Sequence, residues 1–335
     1  MGTGGKTMIQ KAYLEFLKYY YPQYLEHYYK RKQKKNYVVN EFSSLNEEEY
    51  REQIQLKDNV AQKFLVQYVN DIVERSPLPF FNKIEIETIN KCNNTCSFCP
   101  VNILDDKRHH ITMSMELFRK IILELKDMKY ADAINLFSNN EPLLDPFLLD
   151  RLKFAREQLP DAYICIYTNG ILLTPEKYMQ LFPYVNFLHI NNYNTVPELL
   201  PEHQKLQKML IENQIPDDKV EIHLRNKCEC LSTRGGQAPN RNEEALLYSP
   251  CILPFSQMVI RPSGQVSFCC NDAYGLYTLG DVASESLKEV WYGKAFEKSR
   301  ANMLKGRLCQ SPCNKCDMIF MPLAFENNTT KVNLL

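Results

Sequence analysis

An α/β fold, built on a parallel sheet closed or partly closed into a TIM-like barrel, is predicted by three observations. Short apolar runs alternate with stretches of helical periodicity from residue 79 onward. The segments joining them are too long for hairpins and suit crossover helices. A group of cysteines follows directly on the first apolar run, at the strand's carboxyl end, where such barrels carry their chemistry. On this reading the chain divides into a helical N-terminal extension (1–78), the partial barrel (79–240) and a small β-hairpin and helix domain with a tail (241–335).

Within the extension, Ile9, Tyr13, Phe16, Leu17, Tyr20, Tyr24 and Tyr28 recur at helical spacing, with Pro22 as a kink. A second helix is expected after Asn46, with Glu47, Glu48 and Glu49 favourable in its first turn. Its buried face is read as Tyr50, Ile54, Val60, Phe64, Tyr68 and Ile72, and no strand pattern is found before residue 78. The opening Gly2–Thr7 ends like a phosphate-binding loop but lacks the preceding glycine and strand, so it is read as a flexible start. The barrel is expected to run strand 84–89, helix 114–128, strand 133–138, helix 146–158, strand 163–168, helix 175–182, strand 186–191, helix 198–213 and strand 220–224. Strands at 257–261 and 265–269 flank Pro262-Ser263-Gly264 as a hairpin, and a helix follows at 293–305.

Forty Lys and Arg balance forty Asp and Glu, so no global basic field points to nucleic acid. No run approaches the 18 or so apolar residues of a membrane span. With no apolar leader at the start, a cytoplasmic location is expected, where structural disulfides rarely persist. Twelve cysteines in such a chain point to metal, and their grouping says more than their number.

Cys92, Cys96 and Cys99 are spaced C-x3-C-x2-C after the first barrel strand. Three thiolates on one loop, without a fourth, suit a cubane that leaves one iron open to an outside ligand, whereas a zinc site normally takes four protein ligands. Cys251, Gly264 and Cys269 follow C-x12-G-x4-C, and Cys313-Asn314-Lys315-Cys316 forms a C-x2-C knuckle. The expected second ligand set is Cys251, Cys269, Cys313 and Cys316, with Cys309 as rival and a four-thiolate zinc site as the alternative. His109, His110, His189 and His223 show no metal spacing and are read as structural or solvent-facing.

The three-cysteine loop resembles that of the radical S-adenosylmethionine (SAM) superfamily, and the likeness runs from about 81 to 320. It implies a [4Fe-4S] cluster on Cys92, Cys96 and Cys99 whose open iron chelates SAM. Reductive cleavage of SAM then yields a 5'-deoxyadenosyl radical that removes a hydrogen atom from substrate. Phe98 stands where the family sets a residue against adenine. Ser138-Asn139-Asn140-Glu141-Pro142 occupies the place of its Gly-Gly-Glu-Pro stretch, making Glu141 the partner of the SAM ammonium, with Asn139 and Asn140 replacing the glycines. Thr168-Asn169-Gly170 repeats a family turn beside the methionine moiety, Asn191 is placed near ribose, and Arg225 near the SAM carboxylate or a substrate oxygen.

The C-terminal cysteines resemble the SPASM/Twitch extension, in its shorter form with one auxiliary [4Fe-4S] cluster. Asp272 is then a candidate general base, with a turn-capping aspartate as the alternative, and Cys228, Cys230 or Cys270 are candidate hydrogen-atom donors or structural thiols. The resemblance implies a two-electron oxidation, with a sugar or aminocyclitol as substrate and a flavodoxin or ferredoxin as reducing partner. The alternatives are a peptide-modifying maturase or epimerase and a non-catalytic iron-sulfur protein. The strand-free first 78 residues speak against the winged-helix module of many peptide maturases.

Overall fold

The computed structural model describes residues 34–104, 106–242 and 246–320. The tyrosine-rich stretch at 9–28 and the opening glycines lie outside these residues. The main sheet has nine strands in the order β1-β6-β5-β4-β3-β2-β7-β8-β9. Strands β1 (Val38–Asn40), β2 (Lys83–Ile86), β3 (Ala133–Asn135), β4 (Tyr163–Thr168), β5 (Phe187–Asn194), β6 (Val220–Asn226) and β7 (Gln257–Ile260) pair in parallel. Then β8 (Gln265–Ser267) and β9 (Thr278–Asp281) turn back antiparallel. The sheet is open: among the described residues no pairing joins β1 to β9.

Crossover helices α2 (Met115–Asp127), α3 (Leu148–Gln158), α4 (Pro175–Leu181) and α5 (Pro201–Glu212) separate the barrel strands. Each begins where local chemistry stops the preceding loop. Ser114 and Thr174 accept from the amides of Leu117 and Lys177, and Pro175 and Pro201 occupy first turns, where a missing N–H costs nothing. Ile84, Ile86, Ile134, Ile164, Ile166, Leu188 and Ile190 point outward from the strands. With Phe118, Ile121, Leu152 and Leu206 from the helices they make one continuous core.

Two features of the first 78 residues differ from expectation. Val38–Asn40 is a strand, registered with Ile222, His223 and Leu224 on the outer edge of β6. Three residues with one buried side chain carry too little alternation to be read from sequence. Helix α1 (Glu47–Val73) does begin at Asn46, with a capping box closed by Glu49. Its most buried stripe, however, is Ile54, Ala61, Leu65, Val69 and Ile72, while Tyr50, Phe64 and Tyr68 lie at the margin. That stripe packs against Leu253, Phe255, Met303, Cys251, Cys269 and Cys313, so the helix covers the C-terminal cysteine domain.

Asp58 ties the two together, its carboxylate accepting from the amides of Tyr248 (2.7 Å) and Ser249 (3.0 Å). Asp58→Ala strands these amides and is expected to cost about 1–3 kcal/mol. An anaerobic thermal melt of iron-loaded protein checks it; an unchanged Tm shows that the contact carries no stability.

After α1 the chain reaches β2 beneath Trp291, whose indole donates to the Pro79 carbonyl and whose ring lies against Phe81. Helices α6 (Leu253–Ser256), α7 (Leu287–Trp291) and α8 (Lys294–Lys305) complete the C-terminal part. None of the described helices is long and apolar enough to cross a membrane.

Candidate active site

The loop after β2 is shaped by its own asparagines. Asn102 donates from one amide group to the carbonyls of Cys96 (3.1 Å) and Cys99 (3.0 Å), and Asn90 is bonded to the Ile111 amide and the His109 carbonyl. These bonds wrap the backbone around three thiols that all line one cavity at the carboxyl end of the strands. Burial pushes the Cys92 thiol up to about 12 and raises Cys96 further, with the neighbouring thiols adding to the effect. Such a group ionises when a cation takes its sulfurs.

The rest of the cavity comes from the ends of β3, β4 and β5. Phe98 is tilted against Tyr193, ring centroids 5.5 Å apart. Ser138, Asn139, Asn140 and Glu141 form one wall, and Thr168, Asn169 and Asn191 another. Glu141 is almost fully buried and held by three donors: the Leu143 amide (3.0 Å), the Thr168 hydroxyl (2.7 Å) and the Asn169 amide (2.7 Å). Burial raises its carboxyl all the same, so an added cation would favour its ionised form. The turn after β4 needs glycine: Gly170 has φ +71°, and a Cβ there would meet His203 Nε2 at 2.4 Å. His203 in turn bonds the Asn169 carbonyl at 3.0 Å, pinning the turn from behind.

A second group of thiols sits in the C-terminal domain. Cys251, Cys269 and Cys313 are buried and Cys316 is half-buried; Cys251, Cys313 and Cys316 lie close enough to raise the Cys269 thiol, and Cys251 and Cys316 that of Cys313. Burial is the first cause in every case. Cys309 is exposed with its sulfur toward the Lys305 carbonyl, away from this group. Arg307 supplies the counter-charge: its guanidinium is buried, donates to the Ser249 carbonyl at 2.7 Å and is stabilised by the Cys251, Cys316 and Cys313 thiols. Sequence spacing did not mark it, because no motif connects an arginine to thiols on two separate segments.

Residues 86–209 match the family model of the radical SAM superfamily, and residues 251–317 match SPASM, an iron-sulfur cluster-binding domain. The chain carries a radical SAM domain followed by a SPASM domain. The S-adenosyl-L-methionine-dependent 2-deoxy-scyllo-inosamine dehydrogenase of Niallia circulans is 25% identical over 240 residues, 71% of this chain and 94% of the relative. The crystal structure of BtrN in complex with AdoMet and 2-DOIA superposes with a TM-score of 0.62 at 23% identity, covering 72% of this chain and 94% of that one. An open conformation of selenomethionine BtrN gives 0.54 at 20% identity, covering 71% and 92%. At these identities the two structures speak to the fold.

A radical SAM protein with a SPASM-type domain carries a SAM-binding [4Fe-4S] cluster and auxiliary iron-sulfur chemistry, and the donor sets here fit both. Three crowded thiols with a buried carboxylate suit the SAM cluster, and four thiols beside a buried guanidinium suit the auxiliary one.

Two expected members are placed elsewhere. Asp272 is fully buried and accepts from the Leu276 amide (2.9 Å), the Tyr277 amide (3.0 Å) and Gln237 (3.1 Å). It caps the turn that follows Cys269 and Cys270, the alternative the sequence offered, and its carboxylate oxygens are engaged by these three donors. Arg225 is absent from the cavity lining and is held instead by Glu229 (2.7 Å) and Glu41 (3.1 Å). The cation that does line the cavity is Arg234, at φ +49° before Gly235-Gly236, donating to Asn139 Oδ1 at 2.6 Å. A signal existed in the Arg-Gly-Gly run, since glycines mark positive φ; in the fold a Cβ added at Gly235 would come within 2.7 Å of Pro312 Cβ beside the knuckle.

The unspaced histidines also meet. His189 and His223 stack at 3.9 Å, and ligand atoms of His189, His223 and Glu221 fall within 4.8 Å of one another. His223 Nε2 lies 3.0 Å from Glu221, and Nδ1 makes a 3.0 Å ionic contact with Glu41 that is too poorly aligned for a hydrogen bond. Burial works against its charge and the two carboxylates outweigh it, raising its pKa, while burial and the His223 charge lower that of His189. The two carboxylates favour the charged form of His223, and with it they link the residue after the N-terminal strand to β6.

Proposed function

We propose that this chain is a radical SAM dehydrogenase that oxidises an alcohol carbon of a sugar or aminocyclitol to the ketone. One observation carries the reading: the second thiol group abuts the wall of the cavity that the first group lines, where Asn139 donates to the Cys270 carbonyl at 2.9 Å, next to Cys269. Bound SAM and its cluster supply a carbon radical that removes one hydrogen atom; a proton and an electron must still leave the substrate. A second redox group beside the substrate suits that second electron.

The chain's own residues do the positioning. Glu141 and Asn169 hold the methionine end, Phe98 and Tyr193 form the apolar end, and Arg234 is placed for a carboxylate. Cys270 is half-buried, and desolvation pushes its thiol up to about 12. The Niallia circulans dehydrogenase, with its aminocyclitol substrate, supports a small polyhydroxylated ligand over a peptide. A flavodoxin- or ferredoxin-like protein is the proposed electron source.

The test is anaerobic incubation of reduced, iron-loaded protein with SAM and 2-deoxy-scyllo-inosamine. Ketone and 5'-deoxyadenosine in equal amounts are expected. SAM cleavage without oxidised cyclitol removes the substrate assignment, and no cleavage by fully loaded protein removes the enzymatic reading.

A further inference from the structure

The interior of a (β/α) barrel is ordinarily filled by branched aliphatic residues. Here strand register places Glu85 beside Asn135, Asn135 beside Cys165, and Lys83 beside Gln257 on the inner face, while Ile84, Ile86, Ile134 and Ile164 take the outer one. Glu85, Asn135 and Gln257 are each 3% exposed or less. Gln257 Nε2 donates to Glu85 Oε1 at 2.9 Å, and Lys83 Nζ reaches the same oxygen at 2.7 Å. That pairing orients the Gln257 amide and cancels the Glu85 charge.

Three acceptors remain: Glu85 Oε2, Asn135 Oδ1 and Gln257 Oε1 have no hydrogen-bond partner among the described residues. Buried acceptors without donors are uncommon in folded proteins, and three on neighbouring strands, all of one kind, call for a ligand that donates. Cys270 is close enough to feel both Glu85 and Lys83, and its carbonyl accepts from Asn139. Through Cys270 the group adjoins the SAM-side wall.

We propose that Glu85, Asn135 and Gln257 form the substrate's anchoring subsite, taking hydroxyl donors from one face of a polyhydroxylated ring. An anion or a carbonyl would bring only further acceptors. An ammonium would stand beside Lys83, whose charge already answers Glu85. Hydroxyls bring donors without charge. The subsite rests on the dehydrogenase reading only in naming a polyol; the orphaned acceptors stand apart from it.

The experiment is anaerobic calorimetry on SAM-loaded, iron-replete protein with 2-deoxy-scyllo-inosamine, scyllo-inositol, and analogues of each with one hydroxyl replaced by hydrogen. At least one deoxy analogue of each parent is expected to bind about tenfold or more weakly, since a site built to bond a hydroxyl rejects its absence. Asn135→Leu removes one orphaned oxygen at similar volume. It is expected to leave Tm unchanged or higher, to weaken the parents about tenfold, and to erase the penalty of the matching deoxy analogue. Deoxy analogues that bind wild type as tightly as their parents, or failure of both parents to bind, overturn the subsite; the acceptors then serve internal water. If Asn135→Leu does not fold, the analogue series on wild type still decides. Polyol binding that depends on Asn135 without ketone formation keeps the subsite and removes the dehydrogenase reading. Ketone formation with no deoxy penalty does the reverse.

Discussion

Cys96→Ala is expected to abolish 5'-deoxyadenosine formation and to leave ~4 irons per chain in place of ~8. Cys96 is buried among the three thiols, and Asn102 holds the carbonyls of both Cys96 and Cys99 so that the sulfurs face one point. No other described cysteine is on this loop to replace it, so two ligands remain for a cluster that already has an open iron. The auxiliary thiols are on other segments and should keep their iron. Iron and sulfide analysis with Mössbauer spectra, and chromatography of the reaction with SAM, check both halves. Full iron content in this variant would show that the loop does not carry the SAM cluster.

Arg307→Gln is expected to be the most damaging change outside the ligands. The side chain is 2% exposed and compensates three thiols on two segments, Cys251 and the Cys313–Cys316 knuckle, while bonding the Ser249 carbonyl. Removing one member of a buried charge pairing costs about 3–5 kcal/mol, since the other charges are left uncompensated in a low dielectric. The auxiliary cluster should be lost on desalting or titrate at a more negative potential, with the SAM cluster unchanged. Arg307→Lys should restore part of the loss because it keeps the charge and loses the fork. EPR-monitored redox titration with a thermal melt reads both quantities. An unaltered auxiliary signal and an unaltered Tm in Arg307→Gln would refute the role.

Local chemistry was readable from the chain. The strands from 163 to 168 and around 220, the helix start at Asn46 and the grouping of thiols all follow from properties of neighbouring residues: hydrophobic period, caps and ligand spacing. Glu141 could be placed on its loop for the same reason. Its three donors could not, since two of them come from β4 and the turn after it, 27 and 28 positions away.

The roles that changed all depend on contacts between distant segments. For Asp272 the sequence left a general base and a turn cap open, and only its three bonds and zero exposure favour the cap. Arg225 was drawn from the SAM site by Glu41, 184 positions earlier, on a segment brought to β6 by a three-residue strand. Arg234, Arg307 and the acceptors of Glu85, Asn135 and Gln257 gain meaning from burial and strand register. A buried charge or acceptor is governed by which partners the fold brings within reach, and parallel register sets those partners across separations that no local pattern records.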